Sequence, residues 1–230
     1  MEKINIVTVD STTSTLKIGI LINNQKKIYD INNGFNHLEN IIPTIDDGLK
    51  LLNADKKDLT CLSVSCGPGS FTGIRIGIAT MQALSYALHI PLFGFNGLYI
   101  YKELINKPQS IIIPVVDAKK KCFYCSFLNS NDDNSYDYTP EEMYEKLSGF
   151  QGGKEIIFAG QDFILAKDYF DEKKLDYTWL FPQGFTASSM LDYSINMVAN
   201  GNPGSIEPIY LRQSEAEIAL LEKKANHLLK

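Results

Sequence analysis

Hydrophobic runs and polar breaks alternate along the chain with a period that changes twice. The β-branched run 4–9 ends in Asp10, a polar stretch covers 11–14, and 16–22 forms a second run. Asn23-Asn24 marks a turn into a third run, 26–31. Three such runs joined by short turns predict an antiparallel meander. Beyond His37 the period becomes helical. Leu38, Ile41, Ile42, Ile45, Leu49 and Leu52 recur at steps of 3, 1, 3, 4 and 3, the spacing of one helical face. Pro43 falls inside that pattern without an N–H to donate, so the helix either kinks there or starts later. Further strands are predicted at 61–66, 91–95, 111–116, 122–128 and 155–159, and helices at 74–88, 96–105, 140–147 and 186–199. The tail 214–229 has helical spacing but, as a lone amphipathic segment, needs a surface to dock on.

A repeat underlies this order. INIVTVDSTTSTLKIGIL at 4–21 parallels IIIPVVDAKKKCFYCSFL at 111–128, each a strand, an Asp, a polar turn and a second strand. Asp10 and Asp117 align at an offset of 107, near half the chain. The pattern predicts a duplicated two-lobed α/β protein, divided into 1–106, 107–205 and a segment 206–230 that returns to the first lobe or meets a partner.

Composition narrows the chemistry. The net charge is −5 over 230 residues and only two arginines occur, Arg75 and Arg212. No global basic field attracts nucleic acid, so any RNA contact is expected to come mostly through a partner. No apolar run approaches the roughly 20 residues that cross a bilayer. The first residues lack a signal-peptide profile, and the four cysteines lie in strand-like sequence rather than a disulfide framework. A cytoplasmic location without membrane contact is the expectation. The three histidines, His37, His89 and His227, are not paired at metal-ligand spacing. His37, at a helix start, reads as a cap or surface residue.

Between the strand 61–66 and the helix 74–88 lies GPGSFTG. Gly67 and Gly69 open backbone angles closed to other residues, and Ser70 or Thr72 can cap the helix. Such a loop either holds an anion at the helix terminus or is a tight turn without a ligand. It is neither GxxxxGK(S/T) nor the dinucleotide fingerprint. The helix itself, with Ile74, Ile76, Ile78, Ala79, Met81, Ala83, Leu84, Tyr86, Ala87 and Leu88, offers no broad polar face. Gly73 and Gly77 allow another backbone to approach. A protein partner is the natural cover for such a helix, and a core helix within the monomer is the alternative.

The stretch GPGSFTGIRIGIATMQALSYALHIPLFGFNGL resembles the signature of the TsaB family, partner proteins of bacterial tRNA threonylcarbamoyladenosine synthesis. VDSTTSTLKIGIL, HLENIIPTIDDGL, VVDA and EPIYLR match in the same order. The resemblance implies an actin-like, Hsp70-like (ASKHA) fold with a mixed sheet and flanking helices in each lobe. It implies a non-catalytic scaffold subunit that heterodimerises with a catalytic paralogue, supported by an ATPase accessory subunit, and that can pair with itself when alone. The partner interface is expected at Leu38, Ile41, Ile42, Ile45, Leu49, Gly73, Ile74, Gly77, Ile78 and Met81, with a charge at Ile78 or Ile45 breaking the complex and sparing the monomer.

In that superfamily the strand–Asp–turn–strand hairpins grip nucleotide phosphate. Asp10, Ser11, Thr12, Gly67, Gly69, Ser70 and Asp117 are therefore the candidate anion or nucleotide residues. The first turn lacks the glycine usual in active members, and the second carries Lys119, Lys121 and Cys122 where an arginine and a Gly-Glu pair are usual. No tightly bound cofactor is expected, with ATP or ADP at the complex or in the interlobe cleft. No catalytic residue or metal ligand is assigned, and tRNA is expected to be met through the complex. A stand-alone ATP-dependent kinase or transferase is the alternative. A peptidase lacks a nucleophile or metal constellation.

Overall fold

The structure, a computed structural model, describes residues 3–32, 36–132, 134–150, 153–201 and 204–212. The tail expected over 214–229 lies outside the described residues. Strands β1 (Ile6–Asp10), β2 (Thr15–Ile22) and β3 (Gln25–Asn32) form the antiparallel meander, and β4 (Cys61–Ser65) and β5 (Leu92–Phe95) extend the sheet in parallel from the other edge of β1. The order is β3-β2-β1-β4-β5. A second sheet repeats it strand for strand. Its members are β6 (Ile111–Asp117), β7 (Phe123–Ser126), β8 (Ser135–Tyr138), β9 (Ile156–Ala159) and β10 (Thr178–Leu180). They are ordered β8-β7-β6-β9-β10, with antiparallel and parallel pairings in the same places. Asp10 and Asp117 end the two central strands. The architecture is α/β, a mixed five-stranded sheet with flanking helices in each half.

Alternation along β1 sorts the first lobe into layers, because successive side chains leave opposite faces of a strand. Val7 and Val9 face one core, shared with Ile18 and Ile20 and covered by α1 (His37–Leu51) and α2 (Phe71–Leu88). Ile6 and Thr8 face the other side. There Ile6 packs with Leu191 of α6 (Ala187–Ala199), and the Thr8 hydroxyl lies 2.9 Å from that of Ser194. Gly19 makes room for this helix: a methyl group there would sit 2.8 Å from Leu191 Cβ. Although α6 follows the second sheet in sequence, it packs on the first.

α1 runs through Pro43 as one element, with Pro43 exposed. Its inner residues Ile41, Ile45 and Leu49, and Ile74, Ile78 and Met81 of α2, are buried in the first lobe's own core. This corrects the expectation that they form a partner interface. Gly73 and Gly77 do serve a close approach, but to the chain's own first turn: methyl groups would lie 2.0 Å from the Ser11 carbonyl oxygen and 2.4 Å from the Ser11 hydroxyl. Of the expected interface residues, Leu38 is exposed and Ile42 half-buried. His37 is also corrected. It is buried, and its Nε2 lies 2.8 Å from the Thr13 carbonyl, tying the start of α1 to the first turn.

The segment 204–212 straps the two lobes together. Gly94 N–H donates to Gly204 O (3.2 Å) and Ile209 N–H to Cys66 O (2.8 Å), both in the first lobe. Tyr210 stacks on Phe71 with ring centroids 4.3 Å apart, and Arg75 lies over Phe71 at 3.9 Å while its Nε donates to the Tyr210 hydroxyl. Arg212 then crosses to the second lobe. Its Nε and Nη2 donate to the two oxygens of Asp137 at 2.7 and 3.0 Å, and Nη1 donates to Ala118 O at 2.9 Å. The three bonds use the planar fork of the guanidinium.

Two outcomes follow. Ile45→Asp places an unpaired charge in the first core and lowers stability on the order of 4 kcal/mol, so urea denaturation shows a largely unfolded monomer. Arg212→Ala costs about 2 kcal/mol from its lost charged hydrogen bonds, and hydrogen exchange rises at 117–122 and 204–212 while the core of the first sheet stays protected.

Candidate functional site

The C-terminal ends of β1 and β6 meet across a cleft of about 420 Å³. Thr12, Thr13 and Ser14 of the first turn, Gly69 and Ser70 of the glycine loop, and Asp117 and Lys119 of the second turn line it. Tyr124 of β7 and Asp162, just past β9, complete the wall. Of the candidate anion residues, Thr12, Gly69, Ser70 and Asp117 therefore face one space. Asp10, Ser11 and Gly67 lie behind that lining.

The polar groups around this cleft are largely spent on each other. Asp10 is fully buried. Its Oδ1 accepts from Thr12 N–H (2.9 Å) and the Thr12 hydroxyl (2.7 Å), and its Oδ2 faces the Lys17 ammonium at 3.9 Å. Ser11 Oγ donates to Gly73 O (2.8 Å), and Ser70 N–H donates to Thr12 O (2.7 Å). Ser70 Oγ caps α2 by accepting from Gly73 N–H at 3.2 Å. In the second turn Asp117 accepts from both the backbone N–H and the ammonium of Lys119. Asp117 N–H in turn donates to Asp162 Oδ2 at 2.8 Å.

A nucleotide phosphate needs N–H groups and a cation aimed at one point. Here the amides of Thr12, Ser70 and Gly73 are already engaged, Lys119 pairs with Asp117, and Lys17 stands 3.9 Å from Asp10 Oδ2, a buried oxygen with no hydrogen-bond partner. Asp162 adds a carboxylate to the wall. The residues present do not fit a phosphate chain in the first turn without displacing these internal bonds. The glycine loop acts as a clamp: a methyl group at Gly69 would lie 2.4 Å from the Thr12 carbonyl oxygen. The loop GPGSFTG is packed as a tight turn against the first hairpin.

Three of the four thiols are buried and held in the protonated form. Burial pushes Cys66 up to about 11 and raises Cys61 and Cys125 as well, so all three remain protonated at neutral pH. Among the described residues no group of three or more His, Cys, Asp and Glu could hold a metal ion, and no helix is long and apolar enough to cross a membrane.

A different surface stands out on the helices. The inward side of α2 is core, and its outward side consists of Thr72, Arg75, Ala79, Gln82, Ala83, Tyr86 and Ala87, with Ile76 and Thr80 half-buried. After Arg75 the remaining residues of the helix carry no charge. Tyr86 is 82% exposed, and Leu38 of the neighbouring α1 is 64% exposed. Most of the residues expected at a partner interface on these two helices lie on their inward, buried sides. The strap residues Tyr210 and Arg212, and Phe71 and Arg75 beneath Tyr210, were missed as a unit, although EPIYLR and the chain's two arginines were the available signals.

A family model described as TsaD, tRNA N6-adenosine threonylcarbamoyltransferase, matches residues 19–165. The chain is 26% identical over 195 residues to the tRNA threonylcarbamoyladenosine biosynthesis protein TsaB of Escherichia coli (strain K12), a match covering 78% of this chain and 82% of that protein. To the protein of the same name from Bacillus subtilis (strain 168) it is 23% identical over 201 residues, covering 82% and 85%. Among solved structures, YeaZ from Pseudomonas aeruginosa superposes with a TM-score of 0.72 at 18% identity, covering 91% of this chain and all of that one. That likeness is one of fold. The family match spans more than half of the chain, from β2 through α1, the glycine clamp and α2 into the second lobe, and the relatives matched over most of its length carry the TsaB name. The chain belongs to the TsaD family of tRNA N6-adenosine threonylcarbamoyltransferases, on the side of that family represented by the TsaB proteins.

Proposed function

We propose that this chain is a non-catalytic partner subunit in the synthesis of threonylcarbamoyladenosine next to the anticodon of tRNAs. It acts by docking a catalytic actin-like paralogue against the outer faces of α1 and α2. The observation that carries this reading is the outward side of α2. Ala79, Ala83, Tyr86 and Ala87 are exposed on a helix with no charge after Arg75. A solvated helix face ordinarily carries charged residues, and interfaces are instead depleted of charge and enriched in tyrosine. On the neighbouring α1, Leu38 and Leu51 are exposed as well.

The names of the relatives support the pathway: those matched over most of this chain are tRNA threonylcarbamoyladenosine biosynthesis proteins named TsaB. The occupied turns of the cleft support the division of labour. With Lys17 on Asp10 and Lys119 on Asp117, this chain supplies the scaffold, and the catalytic paralogue and an ATPase accessory subunit hold the ATP or ADP. Alone, the same face pairs two copies of this chain. The assembly works in the cytoplasm, where its tRNA is.

Reconstitution tests the reading. The purified chain, its catalytic paralogue and the ATPase subunit are mixed with ATP, threonine, bicarbonate and unmodified tRNA, and each component is left out in turn. Modified adenosine is expected only when this chain is present, and this chain alone is expected to form none. Full modification without it, or modification by it alone, contradicts the assignment.

A further inference from the structure

Beside the cleft lies a smaller hollow of about 170 Å³, open at the seam between the lobes. Phe71, Tyr124 and Tyr210 wall it, and Lys119, Lys120 and Arg212 stand at its rim. Three different elements bring the rings there: the start of α2, strand β7 and the strap. Tyr210 is 40% exposed, and Phe71 and Tyr124 are half-buried, so aromatic surface remains accessible. Both of the chain's arginines converge on this corner. Arg75 covers Phe71 and bonds the Tyr210 hydroxyl, and Arg212 holds the end of the strap.

The rim concentrates cations on a chain whose net charge is −5. Lys119, Lys120 and Lys121 are exposed and follow one another in the turn after β6. All three adopt left-handed backbone angles, with φ of 64°, 54° and 62°. Asp117 and Asp137 face Lys119 and Arg212. Asp162 also acts on Lys119, and the exposed Lys120 and Lys121 extend the basic rim beyond these pairs.

Accessible rings beside a basic rim are how proteins hold unpaired nucleotides: every base has a face to stack, and the backbone phosphate meets lysine. We propose that this hollow receives one unpaired nucleotide of RNA, its base against the aromatic wall and its phosphate at the 119–121 turn. The chain then touches tRNA directly rather than only through its partner. This rests on the tRNA-modification reading, and it adds an RNA site that the docking face does not supply.

The test measures tRNA binding by the intact heterodimer of this chain with its catalytic paralogue, using fluorescein-labelled unmodified tRNA over a series of salt concentrations. For Lys120→Glu/Lys121→Glu we expect affinity about tenfold weaker and a salt dependence smaller by about two phosphate contacts. Tyr124→Ala is expected to weaken binding about tenfold without changing the salt slope, and Tyr124→Phe to restore it, since stacking needs the ring and not the hydroxyl. Co-elution of the heterodimer is measured in parallel and is expected to be unchanged, which separates RNA contact from docking. Wild-type tRNA affinity in both the lysine and the Tyr124→Ala variants overturns the proposal. Displacement of tRNA by millimolar ATP also overturns it, assigning the hollow to a free nucleotide. If these variants bind tRNA normally while modification still requires the chain, the RNA site fails and the partner reading stands. If modification proceeds without the chain, it is the partner reading that fails.

Discussion

The contact on which this molecule is built is the press of the glycine loop and α2 against the turn between β1 and β2. Gly69, Gly73 and Gly77, spaced four apart, put bare backbone where methyl groups would lie 2.0 to 2.4 Å from Ser11 or Thr12. That approach lets Ser70 N–H reach Thr12 O and Ser11 Oγ reach Gly73 O. Buried polar groups of the turn are thereby satisfied within the chain, which removes the cost of leaving them unpaired. The same bonds set the rotation of α2 about its axis. Ile74, Ile78 and Met81 must then point into the sheet, and Ala79, Ala83 and Tyr86 must point away from it.

The clamp also engages the polar groups of the first turn within the chain. The strand order of both lobes is shared, and each central strand still ends in an aspartate. Each aspartate has been given a lysine of its own, Lys17 for Asp10 and Lys119 for Asp117. The lobes differ where the first carries α2. Between β9 and β10 the second lobe has only the short turns of helix 161–165 and α5 (Lys167–Glu172). Among the described residues, a long outer helix face with no charge after Arg75 occurs in the first lobe alone. The strap closes the arrangement, with Ile209 and Tyr210 on the first lobe and Arg212 on the second.

Much of this was legible in the sequence. The meander, the duplicated strand–Asp–turn–strand units and the helices expected at 37–52 and 74–88, observed at His37–Leu51 and Phe71–Leu88, follow from periodicity, because the inner faces of strands and helices must be apolar. The edge strands β8 and β10 were missed. SYDY and TWL are short and half-buried throughout, so they carry no buried apolar run. The misreading of α2 has a specific cause: alanine counts as apolar in a pattern yet is small enough to be exposed at little cost. A helix with isoleucine inside and alanine outside thus looked apolar all round. Gly73 and Gly77 were correctly read as sites of close approach, but the sequence does not say which backbone approaches. His37 went wrong for the same reason, since its partner Thr13 lies 24 residues away. The strap has no periodicity, and its contacts span 75 to 143 residues, beyond any local signal.

The account turns on which side of α2 meets a partner. Its most direct measurement is the calorimetric dissociation constant of the heterodimer for Ala83→Arg, taken together with the thermal midpoint of the free variant. Ala83 is exposed, so the midpoint should stay within about 2 °C of the wild type, as for an ordinary surface substitution. Its place on the outer face predicts that affinity falls by about a hundredfold, as expected for an unpaired charge buried at an interface. Wild-type affinity in a folded Ala83→Arg variant would contradict the account.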